Sequence, residues 1–175
     1  KPVHLSNRIR YFVSDARSPA RLLEVLRAEL HTLDAADPAQ CETTLLIHPH
    51  VLTDFADYND FLQQADDAVA ERGLEGVIQV ASFHPRYRFE DAGPDAIENF
   101  TNRSPYPMLH LLRESSVERA VTTHPDTTDI YRTNIDTLRR LGHEGWRGLW
   151  LAEVPQDKSI HRRGRKGRGG KATTR

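Results

Sequence analysis

The chain has 175 residues, one ordinary domain with room for a real core. No run of eighteen apolar residues is present, which excludes an apolar membrane-spanning helix. The N-terminus shows no charged-then-apolar leader, and the single Cys41 can form no internal disulfide, so a cytoplasmic protein is expected. The net charge of −1 hides a split: residues 161–175 carry seven basic side chains and no acid, leaving −8 on the other 160 residues.

The chain order of elements begins with a strand at Arg8–Val13, closed by a turn signal at Ser14-Asp15. Ser18 caps a helix with Pro19 at its first position, and Leu22, Leu26, Leu30 and Leu33 form its buried stripe. Thr43–His48 reads as a second strand, apolar enough to be covered on both faces. Asp54 caps the next helix, with Phe55, Tyr58, Leu62, Ala65 and Val69 as its stripe and Gly73 at its left-handed end. Val77–Phe83 is a third strand, and Tyr87–Phe100 a long loop. Ser104-Pro105 is expected to open another helix, carrying Met108, Leu109, Leu111, Leu112 and Val117. A last helix starts near His124-Pro125-Asp126, with Asp126 and Asp129 as a capping box, Tyr131, Ile135 and Leu138 as its stripe and Gly142 at its end. Trp146, Leu149 and Trp150 are expected to pack on the body.

Alternating strands and helices argue for a single α/β domain over residues 1–155, with a small, mainly parallel sheet of three strands or slightly more flanked by helices. Residues 156–175 read as a disordered, Gly-rich basic tail, able to contact nucleic acid through the charges at 161–175.

Two histidine-proline motifs close predicted strands: Leu45-Leu46-Ile47-His48-Pro49-His50 and Val80-Ala81-Ser82-Phe83-His84-Pro85. Ligands gather at the C-terminal strand ends of open α/β sheets. His48 and His50 stand two residues apart, the spacing of one strand face, and Pro49 keeps His48 extended. His48, His50 and His84 together would suit a catalytic zinc, or an iron site with Asp54 replacing one imidazole. Without metal, His48 and His84 would act as general acid or base, with Asp54 orienting a ring. Arg86 and Arg103 could clamp a carboxylate or phosphate, and Tyr106 and His110 would supply a polar wall on the Arg103 helical face. For each histidine taken singly, a bond to backbone at the strand-to-loop junction is the blander alternative. His4, His31, His124, His143 and His161 lack supporting context. Absent are GxGxxG, GxxxxGK, GxSxG, HExxH and CxxC, so nucleotide-fold, serine-hydrolase and thioredoxin readings lose their usual support.

Four stretches carry a resemblance: Thr44–Pro49, Ile78–Pro85, Asn102–Glu114 and Leu141–Trp146. Over about residues 8–150 the chain resembles the bacterial family catalogued as domain of unknown function 1415. The resemblance implies a bacterial cytosolic protein and supplies no mechanism. It also implies a Leu-Cys-Pro-Phe segment ahead of the first strand, which is not seen from Lys1 onward. The expectation is an enzyme acting on a small polar or anionic metabolite through the histidine cluster at the strand C-terminal ends, with or without a metal. The alternatives are a non-catalytic ligand- or partner-binding module, or a nucleic-acid-associated protein using the basic tail.

Overall fold

The computed structural model describes residues 8–123 and 127–151, with side chains at all of these except 120, 121, 123, 127–131 and 149–151. His4, His124, His161, the Asp126–Asp129 capping box, Tyr131, Leu149, Trp150 and the basic stretch lie outside the described residues or side chains.

The elements are β1 (Ile9–Val13), α1 (Pro19–Ala35), β2 (Thr43–Ile47), α2 (Phe55–Glu71), β3 (Ile78–Phe83), a short 3-10 turn (Ile97–Thr101), β4 (Met108–Arg113), α3 (Glu114–Thr123) and α4 (Thr127–Leu151). Local chemistry accounts for the first half. Ser18 Oγ accepts the Arg21 amide ahead of Pro19, and Leu22, Leu26, Leu30 and Leu33 are all fully buried. Asp54 caps α2 through the Ala56 amide, and Gly73 takes a φ of 65° after its end. The α2 stripe includes Phe61, which is buried, where Leu62 was expected to be; Leu62 packs at its margin.

The sheet has four strands in the order β1-β2-β4-β3. β1 and β2 pair in parallel, and β4 runs antiparallel to both β2 and β3. The three expected strands therefore do point the same way, but β4 is inserted between the second and third. This corrects the mainly parallel sheet to a mixed one within the same α/β class. It also corrects the helix expected from Ser104: Met108–Arg113 is a strand, and helix resumes only at Glu114.

The reason is visible along β4. Leu109, Leu111 and Arg113 are buried while Met108, His110 and Leu112 are half-buried, a period of two. Leu and Met favour helix in isolation, but the gap between β2 and β3 supplies hydrogen-bond partners on both sides of this segment. Pro105 and Pro107 reinforce the choice, because each keeps the residue before it out of the helical region. Ser104 Oγ donates to the Tyr106 carbonyl, closing a bend instead of capping a helix.

Leu46, Leu109, Leu111 and Ile78 form the sheet side of the core under α1 and α2. Arg113 ends β4 beneath α1. Its guanidinium donates to the Leu33, Ala36 and Cys41 carbonyls, satisfying the C-terminal end of that helix. None of the described helices is long and apolar enough to cross a membrane.

Candidate functional site

β2 and β3 end at the same sheet edge, and the next residue of each is a histidine. Alternation puts Leu46 under the helices and Ile47 on the other face, so His48 turns back toward α2, and Ser82, Phe83 and His84 repeat the pattern. Both imidazoles are fully buried. Both pack against Tyr58 of α2, His48 at 5.9 Å between ring centroids and His84 at 5.1 Å. Because β4 stands between their strands, the two backbones are two strand spacings apart, roughly 10 Å.

The Tyr58 hydroxyl donates to the Met108 carbonyl at 2.9 Å and accepts the Phe83 amide at 3.0 Å. It ties the start of β4 to the end of β3, and burial raises its pKa. Tyr58→Phe is expected to cost about 2 kcal/mol, because it leaves two backbone groups without their partner. Urea unfolding measures this, and a loss below about 0.5 kcal/mol would show those bonds to be dispensable.

Each ring is fastened to its own turn. His48 Nδ1 lies 3.0 Å from the Val51 carbonyl, an acceptor only, so Nδ1 carries the proton and Nε2 the lone pair. His84 Nδ1 accepts the Arg86 amide at 3.0 Å, so its neutral form carries the proton on Nε2. Both Nε2 atoms are buried without a hydrogen-bond partner. Desolvation lowers the His48 pKa to about 4, against a raising pull from the Val51 carbonyl. Desolvation also lowers His84; the Leu52 and Thr53 carbonyls counter it in part, although neither accepts a bond from Nε2.

The three-imidazole metal centre expected from sequence is not assembled. His50 is exposed beyond the turn, and among the described residues no group of three or more His, Cys, Asp or Glu could hold a metal ion. The tautomers give a second reason. Ligation through His84 Nε2 would move the proton to Nδ1 and break the bond from the Arg86 amide. Asp54 makes no hydrogen bond to a ring: it caps α2 and pairs with Arg86 at 3.1 Å. That hydrogen bonding lowers the Asp54 pKa, the Ala56 amide being its largest cause. Arg86 also donates to the Thr53 carbonyl, so it stitches the two histidine loops together.

His110 lies elsewhere. Paired with Leu45 and Ala81, it occupies the sheet face opposite the α1–α2 core and donates from Nε2 to Thr43 Oγ1 at 2.7 Å. The Thr43 hydroxyl is itself committed to the Leu111 carbonyl, which assigns that proton. Burial lowers the His110 pKa to about 4. The shared helical face of Arg103, Tyr106 and His110 does not exist, because the segment is a strand and the loop before it. Tyr106 is exposed on that loop.

Arg103 does reach a cavity. Buried Asn99 holds the loop by accepting the Phe89 amide and donating to the Gly93 carbonyl, and Asn102 donates to the Ser82 carbonyl at β3. On this support the Arg103 guanidinium donates to the Tyr87 and Pro94 carbonyls and lies 4.2 Å above the Phe100 ring. It makes no ion pair with a carboxylate among the described residues. Desolvation lowers its pKa while the charge of Asp95 opposes this.

One wall of an open cleft of about 530 Å³ comes from Pro85, Asp95, Phe100, Arg103, Ser104 and Pro105. The other wall comes from α4, where Gly142 (φ 62°, ψ 178°) breaks the helical run and turns His143, Trp146 and Arg147 toward the loop. His143 and Trp146 meet the Phe100 ring edge-on at 5.2 and 5.5 Å. Arg139, before the break, anchors α4 to Glu98 of the 3-10 turn at 2.8 Å. Sequence reading passed over His143 and Arg147 and treated Trp146 as packing. The available signal was that three of the stretches carrying the family resemblance, Ile78–Pro85, Asn102–Glu114 and Leu141–Trp146, contribute residues to this cleft.

Comparison with curated proteins and with solved structures yields no match. A family profile described as "Protein of unknown function (DUF1415)" matches residues 1–148. That span takes in both histidine loops, the Arg103 loop and the cleft-lining residues of α4, so the chain belongs to the DUF1415 family.

Proposed function

We propose that this protein binds a small anionic molecule in the cleft between the Arg103 loop and the end of α4, and that His48 and His84 hold the loops behind it. The observation that carries the reading is the state of Arg103. Its guanidinium is half-buried and faces carbonyl oxygens and an aromatic ring, with no carboxylate in ion-pair distance among the described residues. A part-desolvated cation whose bonded partners are dipoles, with Asp95 acting on it only from beyond ion-pair distance, gains from an incoming carboxylate or phosphate, which its forked donors suit. The cleft volume lies within the range of small-molecule sites. Both ring Nε2 atoms are buried, whereas general acid–base catalysis needs a ring nitrogen within reach of substrate.

The test is a thermal-shift screen of the full chain against small carboxylates and phosphates. A ligand present at about a hundred times its Kd should stabilise the fold by about 2.7 kcal/mol. Arg103→Lys keeps the charge, loses the fork, and is expected to weaken binding about tenfold or more. A screen in which no anion shifts the transition, or in which Arg103→Lys binds as well as the native chain, overturns the reading.

A further inference from the structure

The sheet face opposite the α1–α2 core carries a second hollow, of about 350 Å³. Leu45 of β2 and His110 and Leu112 of β4 form its floor, and Ile9 of β1 and Val117 of α3 add apolar sides. It shares no described residue with the Arg103 cleft. Folded interiors leave few voids wider than a water molecule, because atoms lining a void forfeit their dispersion contacts. Water restores few of these, since a confined water needs two to four polar partners. A hollow of this size and lining gains from an apolar guest.

The polar atoms around it are committed, with one exception. The Thr43 hydroxyl donates to the Leu111 carbonyl and accepts from His110 Nε2. Ser116 Oγ accepts the Arg119 guanidinium, and Glu42 lies in ion-pair distance of Arg8 and Arg119, at 2.8 and 3.4 Å. The exception is His110 Nδ1. With the proton on Nε2, Nδ1 carries a lone pair, and it has no hydrogen-bond partner among the described residues. Nor is it sealed from solvent as the Nε2 atoms of His48 and His84 are. Burial keeps this ring neutral near pH 7, so the lone pair stays available there.

We infer that this hollow is a second binding site, which takes a neutral apolar molecule carrying one hydroxyl that donates to His110 Nδ1. The inference goes beyond the anion cleft and does not depend on it. An anion would meet the Nδ1 lone pair and the Glu42 carboxylate, both repulsive. A cation would shed its water among Leu45, Leu112 and Val117 to gain one neutral nitrogen, with Glu42 already paired. Tyr11 and Val13 continue the same sheet face from β1 and are each 64% exposed, so an elongated apolar body has surface to extend over.

The experiment titrates the full chain with 2-naphthol and with 2-methoxynaphthalene, the same rings with the hydroxyl proton replaced by methyl, and follows the fluorescence of each probe. 2-Naphthol is expected to bind saturably and at least about tenfold tighter, since a buried acceptor rejects an analogue that cannot donate. His110→Phe keeps a ring in place and should bring the two probes within about twofold of each other. Val117→Trp should fill the hollow and weaken 2-naphthol at least about tenfold, and Leu112→Phe does the same from β4 if the helix variant fails to fold. Urea unfolding checks that each variant folds. The inference is overturned by an absence of saturable 2-naphthol binding, by equal affinity for the two probes, by a preference that survives His110→Phe, or by binding that the filling variants leave unchanged.

Discussion

Unfolding free energy should fall steeply as the pH drops from 6.5 toward 4. His48 and His110 both have pKa values lowered by burial from 6.5 to about 4, and His84 is lowered as well. Above 6.5 each ring is neutral in the folded and the unfolded chain, so it makes no pH-dependent contribution. Below 6.5 the unfolded chain takes up a proton that the folded ring refuses, and stability is lost until the folded value is reached. At 1.36 kcal/mol per pKa unit, His48 and His110 would each withdraw roughly 3 kcal/mol. Together that is a large fraction of the 5–15 kcal/mol typical of a domain. Urea unfolding at several pH values measures the slope. A double variant, His48→Gln and His110→Gln, should flatten it, although its stability near pH 7 will be lower from lost packing. A native chain whose stability is level from pH 6.5 to 4.5 would contradict the buried placement of these rings.

Arg113→Met should cost about 3 kcal/mol or more, with no effect on anion binding in the cleft. Methionine fills much of the same volume, so the loss reports the bonds. Arg113 is only 7% exposed, and its guanidinium satisfies carbonyls of Leu33, Ala36 and Cys41. Removing it takes a donor from the Ala36 and Cys41 carbonyls and leaves the Leu33 carbonyl with the Ala36 amide alone, and each acceptor left buried and unpaired costs about 1–3 kcal/mol. Arg113→Lys should recover part of the loss, since one ammonium cannot reach all three acceptors. The midpoint of denaturant unfolding checks both variants. A change below about 1 kcal/mol in Arg113→Met would mean that water replaces the guanidinium freely.

The contrast between β4 and α1 shows where sequence reasoning succeeds. The α1 cap, its proline and its leucine stripe all act within a few residues, so the local pattern carries the whole decision. Met108–Arg113 is an apolar run too short for periodicity to distinguish helix from strand. The prolines before it were a local hint, but Ser104-Pro105 also imitates a helix start. Gly142 was expected to end the last helix; its φ of 62° does break the run there, but helix resumes beyond it to Leu151.

The site divides along the same line. Sequence alone determined that His48 and His84 would follow strands running in one direction and end at one sheet edge. It also put forward Arg103 as a candidate anchor for an anion, the role proposed for it above. Only the tertiary structure decided how far apart the two imidazoles lie, because that depends on β4, a segment distant in the chain, filling the gap between their strands. It decided as well that His110 faces away from them, since a strand sends neighbouring residues to opposite sides of the sheet. And it alone brought Arg147 across from Arg103, because the two are joined by packing of α4 on the 3-10 turn, an interaction that leaves no periodic trace in either segment.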